Sequence, residues 1–184
     1  MQPTSTQSAR HDPMDRASAL RALEQVTDPE IPVLTIADLG ILREVVVDEA
    51  GTVHVDITPT YSGCPAMDEI RTDVRAALER AGARGVDVRL VHSPAWTTDW
   101  MTEDGRRKLA EYGIAPPGPR PAAGPVAVEL GYRPGLVGDG TEAPACPRCG
   151  SAATEELARF ASTACKSLWR CTACREPFDH FKEF

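Results

Sequence analysis

Four cysteines near the C-terminus have the spacing of a metal site. They form two C-x₂-C pairs, Cys146/Cys149 and Cys171/Cys174, with twenty-one residues between the pairs. Each pair forms a tight turn, called a knuckle below, that directs two sulfurs to one ion. Tetrahedral thiolate coordination needs two such pairs. The spacing predicts a structural zinc ion; an iron–sulfur cluster accepts the same ligands, and free thiols are the remaining alternative. Four protein ligands leave no open position for a substrate.

Cys64 lies in the segment Ser62-Gly63-Cys64-Pro65, between a predicted strand and a predicted helix. Pro65 suits the first position of a helix, which makes Cys64 the expected N-cap. Backbone N–H groups and the positive end of the helix dipole would stabilise a thiolate there. Thr58, Thr60, Tyr61 and Ser62 would add hydroxyl donors. A buried, inert cysteine in a tight turn is the alternative, and the spacing favours neither reading.

Two carboxylates form a second polar group near the N-terminus. Asp28 and Glu30 flank Pro29, and Pro32 follows, so the loop is expected to be extended. The pair could supply oxygen ligands or an acid–base group. A solvated turn is the commoner outcome for such a pair.

Cys165 is the cysteine left over from the two knuckles. Three roles are open to it: an additional ligand of the metal, a chemical partner of Cys64, or a small apolar side chain in the ribbon hairpin.

Hydrophobic periodicity predicts an α+β domain over residues 16–115, with the element order α-β-β-α-β-α. The first helix is expected over residues 16–27, and the last begins after a Thr102 cap and ends before Gly113. On the second strand, His54, Asp56 and Thr58 alternate with the apolar residues, so all three are expected to point away from the core. The remaining elements are strands at Leu42–Val47, Val53–Ile57 and Val86–Leu90, and a helix whose apolar face carries Met67, Ile70, Val74 and Leu78.

The rest of the chain divides by composition. Residues 1–15 are polar and are expected to be a disordered tail, and residues 116–143 form a Pro/Gly-rich linker that has one candidate strand at residues 126–130. Residues 144–184 form the metal module. Its predicted hairpin strands are Leu157–Ser162 and Lys166–Cys171, and its predicted apolar cover is Phe178, Phe181 and Phe184.

Bulk properties narrow the class of protein. The 184 residues carry a formal net charge of −7, which argues against a zinc-ribbon regulator that binds nucleic acid. No apolar run approaches a membrane span, and the N-terminus lacks the apolar core of a signal peptide. A cytoplasmic protein with reduced cysteines is therefore expected.

Two motif sets resemble known families. DPEIPVLTIADLG at 28–40 and TPTYSGCPAMDEI at 58–70 resemble the SufT family of iron–sulfur assembly factors. SPAWTTDWM at 93–101 and the cysteine-rich tail resemble the PaaD family of the bacterial phenylacetate pathway.

The resemblance implies a small three-stranded SufT-like domain followed by a zinc ribbon, and an accessory protein that is not itself an enzyme. It implies help in maturing or inserting a metal centre, either an iron–sulfur cluster or a di-iron site, of a phenylacetyl-CoA epoxidase. Partners would be the oxygenase and reductase subunits and iron–sulfur assembly proteins, and the cargo a transient iron or iron–sulfur cluster. Cluster-transfer residues carried over by the motif are Cys64, Asp28, Glu30, Thr58 and Thr60. A stoichiometric, non-catalytic subunit of the oxygenase is the alternative.

Overall fold

The computed structural model describes residues 14–118 and 143–183. The predictions for residues 1–13, for most of the 116–143 linker with its candidate strand, and for Phe184 lie outside the described residues. No helix within the described part of the chain is long and apolar enough to cross a membrane.

The first helix, α1, spans Arg16–Leu23 and is shorter than predicted. Asp15 is its N-cap and accepts a hydrogen bond from Ser18 N. Helical spacing continues to Val26, which is buried, but the backbone turns away because Thr27 forms an isolated β-bridge with Thr35. This bridge to the following loop therefore ends the helix a turn early.

Three strands form the sheet of the N-terminal domain, in the order β1-β2-β3. β1 spans Leu42–Val47 and pairs antiparallel with β2, Thr52–Ile57. β3 spans Gly85–Leu90 and lies parallel to β2, so the intervening helix α2, Ala66–Arg80, is the crossover connection. The predicted order α-β-β-α-β-α is confirmed.

The core of this domain lies between the sheet and its helices. The apolar face predicted for α2 is buried, with Ile70, Val74 and Leu78 fully enclosed and Met67 nearly so. The alternation predicted for β3 is only partly right. Val88 is buried, but Leu90, the last residue of β3, is 38% exposed.

The last helix, α3, spans Glu103–Tyr112, and both predicted caps are confirmed. Thr102 accepts from Gly105 N at its start, and Gly113 adopts the left-handed conformation, φ 94°, at its end. Trp96, just upstream, lies in the core and donates its indole N–H to Leu39 O at 2.8 Å.

The C-terminal ribbon contains more strands than the predicted hairpin. Its four-stranded sheet has the order β4-β7-β6-β5: β4 is Ile114–Ala115, β5 is Thr154–Ala158, β6 is Lys166–Cys171 and β7 is Pro177–Phe181. β6 matches the prediction. The strand predicted at 157–162 begins three residues earlier and ends at Ala158, and β4 and β7 were not predicted. Because β4 follows α3 directly and pairs parallel with β7, one strand of this sheet comes from the N-terminal domain.

The ribbon also packs into the core of the N-terminal domain. Phe178 covers the metal module, as predicted, but Phe181 does not. It lies 1% exposed in the main core, with its ring centroid 6.1 Å from that of Trp96. Gly118 N donates to the Glu183 carboxylate at 2.9 Å, which adds a polar contact beside this junction. Phe181 therefore joins the ribbon to the apolar core of the N-terminal domain, while Phe178 lies in a smaller cluster at the metal module.

Candidate functional site

The four knuckle cysteines converge at one end of the ribbon. All four sulfurs lie within 4.8 Å of one another, with Cys146 Sγ 3.8 Å from Cys174 Sγ and Cys149 Sγ 3.6 Å from Cys171 Sγ. A tetrahedron with zinc–sulfur bonds of about 2.3 Å has S···S edges of about 3.8 Å. The cluster therefore fits a structural zinc ion.

Backbone geometry explains why both knuckles close. The residue after each C-x₂-C pair is left-handed, with φ 73° at Gly150 and 67° at Arg175. Gly150 N donates to Cys146 O at 2.8 Å, which closes the first turn. In the second, the N–H of Cys174 donates to Cys171 Sγ and lowers the pKa of that thiol to about 6. Backbone N–H groups thus favour the thiolate that a metal needs.

Cys165 lies outside this cluster. It occupies the turn before β6, is 6% exposed, and belongs to the apolar core of the N-terminal domain. Its Sγ is 3.0 Å from Thr163 Oγ1. The expectation that Cys165 adds a ligand to the four-cysteine site is therefore wrong for this geometry.

The second sulfur site lies around Cys64, in the loop between β2 and α2. The helix begins at Ala66 and its N-cap is Pro65, which has no side-chain cap bond. Cys64 thus precedes the cap by one residue, and the prediction of a Cys64 N-cap is wrong. The Ala66 N–H still donates to the thiol, and the Tyr61 side chain makes a second hydrogen bond with it. The sulfur is half-buried.

The loop that carries Asp28 is closed by that carboxylate. Asp28 Oδ1 accepts hydrogen bonds from Glu30 N and Ile31 N, both at 2.8 Å. Asp28 N donates to Leu34 O at 2.9 Å, which ties the other side of the loop. Asp28 is 8% exposed and Glu30 is half-buried, so the pair is not the solvated turn of the alternative reading.

Burial and like charge keep Cys64 protonated. Partial burial raises the pKa of the thiol above its ordinary value, and the nearby charges of Glu30 and Asp28 raise it further. The Ala66 and Tyr61 hydrogen bonds oppose this shift without overcoming it. The predicted stabilised thiolate is therefore wrong, because desolvation and two carboxylates outweigh one helix terminus.

The two carboxyl groups are perturbed in the same sense. Burial raises the pKa of Asp28, although the Ile31 and Glu30 N–H groups lower it. Burial and the charge of Asp28 raise the pKa of Glu30. In both cases Lys166 of the ribbon lowers the pKa, so a cation from the second domain is close enough to affect this loop.

Thr58 has a different orientation from the predicted one, and both threonines are buried. Strand β2 ends at Ile57, and Thr58, whose N–H donates to Ile41 O at 3.0 Å, is 1% exposed. The prediction that Thr58 points away from the core with His54 and Asp56 is wrong. Its Oγ1 makes no hydrogen bond within residues 14–118 and 143–183. Thr60 is also buried.

One residue of this site, Lys166, was not among the predicted site residues, whereas Tyr61 was expected as a hydroxyl donor beside Cys64. Burial raises the pKa of Tyr61 to about 12, with further contributions from Cys64, Cys165 and Glu30. Lys166 is 5% exposed and pairs with Asp179 at 2.9 Å. Its position comes from docking of the ribbon, for which the sequence carries no local signal.

Two family models match the chain. The family described as an iron–sulfur cluster assembly protein matches residues 16–90, and the PaaD zinc beta ribbon domain matches residues 134–182. Fold and site together define an iron–sulfur-assembly type domain that carries a C-terminal zinc ribbon.

Relatives narrow the class further. An Escherichia coli (strain K12) protein, provisionally named as one of the subunits of 1,2-phenylacetyl-CoA epoxidase, is 47% identical over 87% of this chain and 88% of its own length. The chain therefore belongs to the PaaD family. Fe–S protein maturation auxiliary factors match its N-terminal half. The one from Porphyromonas gingivalis is 42% identical over 49% of this chain and 86% of its own length. The maturation auxiliary factor SufT from Staphylococcus aureus is 38% identical over 42% of this chain and 88% of its own length.

Proposed function

We propose that this protein is an accessory factor that helps to mature or insert a metal centre of a phenylacetyl-CoA epoxidase, and that it is not an enzyme. Its near-full-length relative carries the name of an epoxidase subunit, and relatives of its N-terminal domain are named for iron–sulfur maturation. The cargo would be iron or an iron–sulfur cluster, handed to the oxygenase or the reductase subunit in the cytoplasm. Iron–sulfur assembly proteins would supply it.

The observation that carries this proposal is the half-buried, protonated thiol of Cys64 beside two carboxylates. A cargo metal replaces the thiol proton when it binds, and regaining that proton favours release. Asp28 and Glu30 supply negative charge that attracts a cation. The loop hydrogen bonds hold Asp28 in place. Thr58 and Thr60 line the buried end of the loop between β2 and α2 and support its shape. Such a site is suited to brief holding.

The zinc ribbon has a different task in this proposal. Its four cysteines are complete as a ligand set, so the metal there is retained and supports the fold. No described residue of the ribbon outside this cluster completes a second group of three metal ligands within 4.8 Å. In this proposal the client docks on the exposed surface of the ribbon. That surface includes the apolar side chain of Phe160, which is 66% exposed.

The test is complementation of a host that lacks this protein but expresses the epoxidase. Cys64→Ser is expected to keep fold and zinc content while the client loses most of its iron and activity. Ser62→Cys, which adds a thiol at an exposed position two residues away, is the matched control and is expected to behave as wild type. Full client activity with Cys64→Ser would contradict the proposal.

A second candidate is a stoichiometric, non-catalytic subunit, because the E. coli relative is named as a subunit of the epoxidase. Titrating purified protein against metal-free client separates the two. A maturation factor acts at well below one equivalent and does not remain bound. Full activity only at a fixed ratio, with co-purification, indicates the stoichiometric role.

A further inference from the structure

The ribbon contains a cavity of about 250 Å³, which we call the ribbon pocket. Its lining comes from β5, β6 and β7 and from the residues that follow β5 and β7. Two aromatic side chains belong to it: Phe160, which is 66% exposed, and Trp169, which is half-buried. Cavities that enclose a whole drug-sized ligand measure roughly 300–1,000 Å³. The ribbon pocket is smaller and therefore suits a side chain rather than a cofactor.

Hydrogen bonds fix the buried side of the ribbon pocket. Ser167 and His180 face each other on the paired strands β6 and β7, and both are buried. Ser167 Oγ accepts from Trp169 Nε1 at 2.9 Å and lies 3.4 Å from His180 Nδ1. The rings of Trp169 and His180 are nearly perpendicular, at 88°, with centroids 6.1 Å apart. This side of the pocket is therefore formed before any ligand binds.

Lys182 is a cation of the ribbon pocket that has no counter-charge in direct contact. Its Nζ lies 4.2 Å from the centroid of the Phe160 ring and donates to Arg159 O at 3.2 Å. Within the described part of the chain, no carboxylate forms an ion pair with Lys182. Burial lowers the pKa of Lys182, and the charge of Arg159 adds to that shift. An ammonium group in this position favours an anionic ligand.

The two acidic residues that line the pocket do not supply that anion. Glu183 Oε1 accepts from Gly118 N at 2.9 Å and lies 3.7 Å from His180 Nε2, so its carboxylate is already engaged. The charge of Glu156 raises the pKa of Lys182, but the net shift is still downwards. Lys182 is therefore able to accept a carboxylate from another molecule.

We propose that the ribbon pocket receives a segment of the client protein in which an acidic side chain adjoins an aromatic one. The client carboxylate pairs with Lys182, and the client ring packs against Phe160. A client segment fits better than a free small acid, because most of the Phe160 side chain is exposed and offers contact area beyond the cavity. This inference rests on the proposed function and deepens it, since it names the chemistry of the partner surface that docks on the ribbon.

A nuclear magnetic resonance titration of the zinc-loaded full chain tests the pocket. The probe is the blocked dipeptide acetyl-Phe-Glu-amide, and its matched control is acetyl-Phe-Gln-amide, which lacks the charge. The indole N–H resonance of Trp169 reports binding, because this side chain lines the pocket. We expect a saturable shift with the acidic dipeptide and binding about tenfold weaker with the neutral one, since a hydrogen bond to a charged group is lost.

Three variants assign the contacts. Lys182→Gln removes the ammonium group and is expected to abolish the preference for the acidic dipeptide. Phe160→Ala, at an exposed position, is expected to weaken the binding of both dipeptides several-fold. Arg71→Gln makes the same charge change as Lys182→Gln on the exposed side of α2 and is expected to leave both titrations unchanged.

Binding of the client is the second measurement. The purified, metal-free oxygenase and reductase subunits of the epoxidase are titrated separately against the zinc-loaded protein at fixed salt. At least one of them is expected to bind, and Lys182→Gln is expected to weaken that binding about tenfold, whereas Arg71→Gln leaves it unchanged. Free phenylacetate is titrated in parallel as a small aromatic acid.

Three results overturn the inference: equal binding of the two dipeptides, no binding of either subunit, or client binding that Lys182→Gln leaves unchanged. Phenylacetate that binds through Lys182 while client binding does not depend on Lys182 also overturns it, because the pocket is then a site for a small acid. Each of these results leaves the proposed function standing if Cys64→Ser still abolishes client maturation. Intact maturation with Cys64→Ser contradicts the proposed function, and the titrations still decide what the pocket binds.

Discussion

The two sulfur sites of this protein are built in opposite ways. In the ribbon, four thiols lie within 4.8 Å, and backbone N–H groups at the second knuckle favour the thiolate at Cys171. Around Cys64, burial and two carboxylates favour the neutral thiol. The first arrangement lowers the free energy of the metal-bound state, and the second lowers that of the metal-free state.

This difference separates retention from release. A complete tetrahedral set of four thiol ligands keeps its metal and turns binding energy into folding energy. A partly buried thiol that must lose a proton binds more weakly and gives the metal up more easily. The sites are nevertheless linked, because β4 pairs with β7 and Phe181 of the ribbon lies in the core against which Cys64 packs.

Loss of the ribbon metal should have the largest effect. Cys171→Ser removes a fully buried ligand, and we expect it to abolish stoichiometric zinc and unfold the ribbon, with a loss of about 5 kcal/mol or more. Elemental analysis and the near-ultraviolet circular dichroism of the ribbon's Trp169 check this. Cys165→Ala, which removes a cysteine outside the cluster, should keep its zinc. A zinc-free ribbon with native dichroism would contradict the claim that the metal of the four-cysteine cluster holds the ribbon folded.

Breaking the link between the sites should be the next largest effect. Phe181→Ala empties a fully buried position against Trp96, and we expect a loss of about 3–5 kcal/mol. Chemical denaturation measures it, and zinc should remain bound because the knuckles are untouched. Phe160→Ala changes the same residue type at an exposed position and should cost below about 1 kcal/mol. Equal effects of the two variants would mean that Phe181 does not join the domains.

The smallest effect concerns the protonation of Cys64. Because its pKa is raised, its alkylation rate at pH 7 should be below that of a free cysteine and should keep rising as the pH passes the ordinary thiol value. Asp28→Asn keeps an oxygen for the Glu30 and Ile31 N–H groups but removes a charge. It should therefore lower the pKa of Cys64 and speed alkylation at pH 7 on the order of twofold.

Peptide mass spectrometry of the zinc-loaded protein resolves this rate from those of the other cysteines. Asp73→Asn makes the same charge change at an exposed position on α2 and should leave the rate unaltered. A Cys64 thiol that reacts fastest near pH 6 would contradict the protonated site.

Local signals in the sequence determined much of the fold. β1 and β6 have the predicted bounds, and α3 begins and ends where Thr102 and Gly113 predicted, since caps and alternation act over a few residues. The zinc cluster was also predictable, because each knuckle is a short turn with fixed spacing. Family motifs, not periodicity, pointed to Cys64 and Asp28 as a pair.

Tertiary structure decided the properties of the second site. The burial of Thr58, the raised pKa of Cys64 and the position of Cys165 all depend on which distant surfaces meet. β7 pairs with a two-residue strand from the other domain, which no local pattern encodes. The sequence shows which thiols the protein has. Desolvation and charge–charge interactions act through space, so the tertiary structure decides which of these thiols keep a proton and which bind a metal.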